Sequence, residues 1–120
     1  MPDKTLHGFK RIKNATLFSC QGLKAAFNHE PAFQEEVVLA AFMIPAALFI
    51  GDSQGERILL IATVVLVLIA ELFNSAIEAV VDRVGTEHHE LAGRAKDIGS
   101  AAVMVTMLLT GYVWLEILFF

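Results

Sequence analysis

Two carboxylates, Glu71 and Glu78, stand inside an otherwise apolar run from Ile58 to Val81, in the stretch Glu71-Leu72-Phe73-Asn74-Ser75-Ala76-Ile77-Glu78. On a helix turning about 100° per residue, Glu71, Asn74, Ser75, Glu78 and Asp82 share a narrow arc, while Leu72, Phe73, Ile77 and Val80 point elsewhere. An ionisable group in a membrane span costs about 2.5 to 3.5 kcal/mol, and such groups normally face a bundle interior or a wet cavity and mark function. The polar stripe therefore reads as a site. Glu71 and Glu78 lie about 10 Å apart along the axis at 1.5 Å per residue, too far to share one ion easily, so they can hold different jobs. The one nearer the surface suits Mg²⁺, which usually takes one or two protein carboxylates together with substrate phosphate oxygens. The deeper one suits a general base accepting a proton from a lipid hydroxyl.

The elements that must position this stripe follow from hydropathy and turn residues. A helix is expected from about Leu6 to Asn28, with Phe9, Ile12, Thr16, Cys20, Leu23 and Phe27 recurring at steps of three and four and Lys10, Asn14, Gln21, Lys24 and Asn28 opposite. Such a basic amphipathic helix lies in the headgroup plane or packs on the rest of the chain, and the two are compatible. Pro31 breaks it and suits the first turn of the next helix. The apolar run Val37 to Gly51 is shorter than the roughly 20 residues of a span, so the first crossing must borrow from Phe33, giving 33–51 with Pro45 as a possible kink. Gly51 to Glu56 is a polar turn between antiparallel neighbours. The second span is expected over 58–81 and the third over 98–120, separated by a polar loop over 82–97 in which Gly85 stops the second helix. Tyr112 and Trp114 fit an interfacial aromatic belt. The expected fold is all-α and integral to the membrane: one domain over 1–120, a surface helix plus three transmembrane helices, assembled as an oligomeric bundle because three short spans can hardly screen the stripe alone.

Composition agrees with that placement. The chain of 120 residues is 56% hydrophobic with a mean hydropathy of +0.61, more than a soluble domain of this size needs for its core. Lys4, Lys10, Arg11, Lys13 and Lys24 precede the first span, and Asp3 is the only acid before Glu30. That asymmetry puts the N-terminus and the 82–97 loop in the cytoplasm and the C-terminus outside it. A short basic segment beside a span meets anionic lipid, which argues against nucleic acid as a partner. A cleaved signal peptide is not expected, since the first apolar run starts only at Val37. Cys20 is the only cysteine, so neither an intrachain disulfide nor a cysteine cluster for metal forms.

Phosphoryl transfer needs chiefly positioning and neutralised charge, and Arg94 and Lys96 at the membrane edge can supply cations. Neither G-x-x-x-x-G-K-[ST] nor G-x-G-x-x-G occurs, which counts against ordinary kinase folds.

The run Glu71 to Arg83, with Glu90-Leu91-Ala92-Gly93-Arg94-Ala95-Lys96-Asp97, Gly99-Ser100-Ala101-Ala102, Gly8-Phe9-Lys10-Arg11 and Gly22-Leu23-Lys24-Ala25-Ala26, resembles the bacterial membrane diacylglycerol kinases over nearly the whole chain. The resemblance implies a homotrimer of the bacterial inner membrane that uses Mg-ATP to convert diacylglycerol to phosphatidic acid. On matching positions it implies Glu71 as general base with Asn74 beside it, and Glu30 and Glu78 as metal ligands. It further implies Arg11, Phe18, Glu30, Glu78, Glu87, His88, His89, Lys96 and Asp97 at the nucleotide. For the lipid it implies Arg11, Lys24, Glu36, Arg57, Glu71, Ser100 and Trp114. Tyrosine is common in the family where this chain has Phe18 and His88, so any contact through a phenol is lost here.

Other readings of the same residues stand beside these. Paired buried carboxylates can specify assembly, and asparagine can join membrane helices. Glu30 can simply favour the positive start of the next helix. Lys96 can be a snorkelling anchor with Asp97 as its partner. The adjacent His88 and His89 do not share a helical face and suit a solvated loop better than a metal. Phe18 can stack on a base or touch lipid. At the level of function, an undecaprenol kinase shares the chemistry, and a small proton-coupled transporter would also carry membrane carboxylates. The clustering of polar groups at one membrane face, with few in the outer half, favours the kinase.

Overall fold

The described residues form four helices: α1 Phe9–His29, α2 Pro31–Ile50, α3 Gln54–Val84 and α4 Glu90–Phe119. The computed structural model describes residues 7–85 and 89–120, all helical or turn, with no strand among them. Pro31 occupies the first turn of α2, where its missing N–H costs nothing. α2 has 20 residues, about 30 Å at 1.5 Å per residue, which matches the hydrocarbon thickness of a bilayer. The helix continues through Pro45 to Ile50. α2, α3 and α4 are each long and apolar enough to cross a membrane.

The turn between α2 and α3 is tight. A Cβ on Gly51 would stand 3.0 Å from the Arg57 backbone nitrogen, so only glycine fits without displacement. Ser53 caps α3, its hydroxyl accepting from Glu56 N at 3.1 Å, and the Glu56 carboxylate accepts from Asp52 N at 3.0 Å. These reciprocal bonds satisfy donors that a helix start leaves open.

α3 is the central helix, packing on α2 along one side and on α4 along another, while α1 packs on α2. Its buried positions, Leu60, Thr63, Val64, Val67, Glu71, Asn74 and Ser75, follow the three-and-four spacing of a single face. That face is apolar toward Gln54 and polar toward Val84. Small residues let α2 approach it, with Ala40 and Ala47 buried, as membrane helices pack where small side chains bring backbones together. Two α4 side chains cross to α3 carbonyls: Thr110 Oγ1 donates to Thr63 O at 3.1 Å and Trp114 Nε1 to Leu60 O at 3.3 Å.

The polar segment 82–97 differs from the expected loop. α3 runs on to Val84 and α4 already begins at Glu90, so helical geometry extends past the apolar limits at both ends. The residues extending it are helix-compatible and their charged side chains remain exposed or half-exposed. Gly85 ends α3, but at φ −178° its backbone is extended, so no left-handed turn is involved. His89 then caps α4, its Nδ1 accepting from Leu91 N at 3.1 Å.

α1 carries its apolar side chains outward. Phe9, Ile12, Leu23 and Phe27 are exposed, and Ala26 is its only buried residue. Packing on its own chain thus accounts for little of the amphipathic face. The whole measures 47 × 43 × 21 Å, a slab about two helix diameters thick.

Candidate functional site

Glu71, Asn74, Ser75 and Glu78 share one face in the C-terminal half of α3, because residues spaced by three and four lie together. Glu71 is 6% exposed and Asn74 and Ser75 each 8%, while Glu78 is half-buried and Asp82 reaches the rim. The stripe therefore grades from a dry deep end to a wet shallow end. Asn74 Nδ2 donates to Glu78 Oε1 at 3.3 Å. This bond orients one carboxylate oxygen and leaves the other free for a ligand.

Two further carboxylates converge on Glu71. The charges of Glu78 and Glu30 both act on it, and Glu71 in turn acts on Glu36. Glu30 sits at the break between α1 and α2, where it shares a cleft with Ser75 in the C-terminal half of α3. Glu36 is nearly two turns further along α2 and buried, with Oε2 lacking any hydrogen-bond partner among the described residues. Three acids, Glu30, Glu36 and Glu78, thus surround one buried carboxylate, a charge-dense arrangement that favours a cation or a proton.

The donor set suits Mg²⁺ carried by a substrate better than a resident ion. Among the described residues no group of three or more acids, histidines or cysteines is close enough to hold a metal by itself. Glu30 and Glu78 offer hard oxygens, and Mg²⁺ typically completes its octahedron with waters and substrate phosphates. The residues present fit that role.

Open space flanks α3 on both sides. A wide cleft of about 730 Å³ lies between α1 and α3, with His29, Glu30 and Ser75 on its wall. A narrower apolar cavity of about 210 Å³ lies among α2, α3 and α4, lined by Leu39, Ala40, Met43, Val64 and Val67, with Glu36 as its acid. One space has polar groups and the other is greasy.

Lys96 is not partnered by Asp97, one of the readings the sequence leaves open. Its Nζ lies 2.6 Å from Asp82 Oδ1, joining α4 to the end of α3, because successive helical residues point about 100° apart. Asp97 instead lies with Glu90, Gly93 and Arg94 along an open groove on another face of α4. Arg94 pairs with Glu90 at 3.6 Å on that exposed surface. Of the histidines, His89 uses a ring nitrogen as a helix cap; Glu87 and His88 lie outside the described residues.

The remaining candidates are dispersed. Arg11, Phe18 and Lys24 are exposed on α1, and none of them lines the cleft between α1 and α3. Ser100 is exposed on α4 one residue past Gly99. Arg57 donates to Gly51 O at 3.2 Å, and Trp114 is held to Leu60 O. Both stand at the far end of α3, roughly 16 to 21 Å from Glu71 along the axis. They can meet only the distant part of a long ligand. Sequence reasoning missed Asp82 as the partner of Lys96, and it missed Gly99, whose backbone abuts Asn74. A glycine inside a helical span was the available signal, since it weakens a helix and often marks a close approach.

The sequence profile of the prokaryotic diacylglycerol kinases matches residues 17–118. A diacylglycerol kinase of Haemophilus influenzae is 52% identical over 113 residues, covering 94% of this chain and 96% of that protein. One of Pseudomonas aeruginosa is 50% identical over 117 residues, covering 98% and 95%. One of Escherichia coli K12 is 48% identical over 107 residues, covering 89% and 88%.

Proposed function

Because this chain belongs to the prokaryotic diacylglycerol kinase family, and is therefore a membrane lipid kinase, we propose that it transfers the γ-phosphoryl group of Mg-ATP to the hydroxyl of diacylglycerol, giving phosphatidic acid. The observation that carries the proposal is Glu71: a carboxylate only 6% exposed, one turn from Asn74 and two from Glu78, where a cation can lie beside a lipid headgroup.

Each residue's part follows from its depth. Glu71 takes the proton from the lipid hydroxyl as that oxygen bonds to the γ-phosphorus and the bond from phosphorus to the ADP oxygen breaks. Asn74 holds Glu78 in place. Glu78 and Glu30 would hold the Mg²⁺ that arrives with ATP, and its charge would neutralise the phosphate oxygens as phosphoryl transfer requires. Lys96 leaves Asp82 for phosphate, with Asp97, His89, Glu87, His88, Arg11 and Phe18 around the nucleotide. The apolar cavity beside Glu36 suits an acyl chain, and Arg57, Trp114, Ser100 and Lys24 would touch the lipid away from its hydroxyl.

The proposal places the chain in the bacterial inner membrane, with α1 and the turn before α4 on the cytoplasmic side, supported by the basic residues at the N-terminus. Self-association as a trimer is what the resemblance implies. The test is phosphate transfer from Mg-ATP to diacylglycerol in mixed micelles, with undecaprenol in parallel. Turnover of diacylglycerol supports the reading. Turnover of undecaprenol alone keeps the chemistry and changes the substrate, and inactivity on both with proton or cation movement in vesicles replaces it with transport.

A further inference from the structure

We propose that Gly99 is a positioning residue for the phosphoryl-transfer site: its missing side chain is the space that lets the Asn74 carboxamide face Glu78. The inference rests on the proposed lipid kinase reading and extends it to a residue on α4 that touches neither substrate.

The geometry is specific. Gly99 is buried on α4 against the polar face of α3. A Cβ built there would fall far inside van der Waals contact of Asn74 Oδ1, 3.3 Å from Asn74 Cγ and 3.7 Å from Ile77 Cδ1. The last contact is ordinary, so the obstruction concerns Asn74 alone. Asn74 Oδ1 is buried with no hydrogen-bond partner among the described residues. The position a Cβ would take at Gly99 is thus the space this oxygen occupies.

The orientation of the amide follows from its other end. Nδ2 donates to Glu78 Oε1 at 3.3 Å. Turning the amide over would set its oxygen against a carboxylate oxygen, two acceptors facing each other, and would leave a buried N–H₂ against a Cα. The oxygen must therefore lie on the Gly99 side. A side chain at position 99 would force α4 to withdraw, which leaves the bond within α3 in place, or Asn74 to rotate, which draws the donor away from Glu78. The free oxygen of Glu78 would then lose its orientation toward Mg²⁺.

The test is a double-mutant cycle of Gly99→Ala and Asn74→Ala in the full chain, reading lipid phosphorylation, the Mg²⁺ concentration for half-maximal rate, and the detergent-induced unfolding midpoint. Gly99→Ala is expected to lower kcat by on the order of ten- to hundredfold, the range for losing a hydrogen bond to a charged group, and to raise the Mg²⁺ requirement. Asn74→Ala is expected to do the same. In the Asn74→Ala background, where the obstructed atoms are gone, Gly99→Ala is expected to cost nothing further. Additive losses, or a lowered rate with unchanged Mg²⁺ dependence, would overturn the proposal, because Gly99 would then act through helix packing alone. If Gly99→Ala fails to assemble, the unfolding midpoints carry the test: recovery in the double variant supports the coupling, and no recovery refutes it. If the native chain phosphorylates no lipid alcohol, the kinase reading fails separately, and the midpoints still decide whether Gly99 and Asn74 are coupled.

Discussion

Replacing Glu71 with glutamine should move activity and stability in opposite directions. The side chain keeps its volume, so packing around a residue only 6% exposed is preserved while the base is lost. General acid–base catalysis contributes about 10²- to 10⁴-fold, so kcat for lipid phosphorylation should fall by about that factor, with little change in KM for either substrate. The same substitution removes a charge on which Glu78 and Glu30 act. For two ionised carboxylates about 10 Å apart, Coulomb's law at an effective dielectric of about 20 gives roughly 1.7 kcal/mol of repulsion. Glu71→Gln should therefore unfold at a higher detergent fraction than the native chain, by an amount on the order of 1 kcal/mol. The assay pairs initial rates in mixed micelles with a titration into denaturing detergent followed by circular dichroism. A variant that loses activity and stability together would assign Glu71 to assembly. One that retains more than a tenth of native kcat would remove it as the base.

Other perturbations separate roles that the site brings close together. Asp82→Asn should free Lys96 for phosphate and lower KM for Mg-ATP in initial-rate measurements, with the unfolding midpoint unmoved because the pair is solvent-exposed; a raised KM would mean that Asp82 itself supports the nucleotide. Leu60→Ala empties a position that is 0% exposed and should cost about 2–5 kcal/mol of stability. Rates per folded molecule should stay near native, since the site lies roughly 16 Å away along α3. His89→Ala removes the cap of α4 and should destabilise by about 0.5–2 kcal/mol, read as a lower unfolding midpoint. If it also raises KM for Mg-ATP while the midpoint holds, the ring serves the nucleotide and the cap is incidental.

The polar stripe, the spans and the helix break were legible in the sequence because each depends on local periodicity. A helix repeats every 3.6 residues whatever it packs against, so Glu71, Asn74, Ser75 and Glu78 had to share a face. Pro31 had to open a new helix for reasons confined to its own ring. What the sequence could not tell was which faces of different helices meet. Lys96 could have been paired with its neighbour Asp97, and it chose Asp82 across α3 because α4 presents that side of its first turns. The segment 82–97 reads as polar, but polarity marks exposure as well as loops, and here most of it continues α3 and starts α4. The convergence of Glu30 and Glu36 with Glu71 required α2 to pack on α3 with that face inward. Gly99 within a span hinted at a close approach, but only the packing of α4 on α3 shows that the atom filling its place is Asn74 Oδ1. Local hydrogen bonding set the elements, and the close packing of α4 on α3 decided which of their side chains form one site.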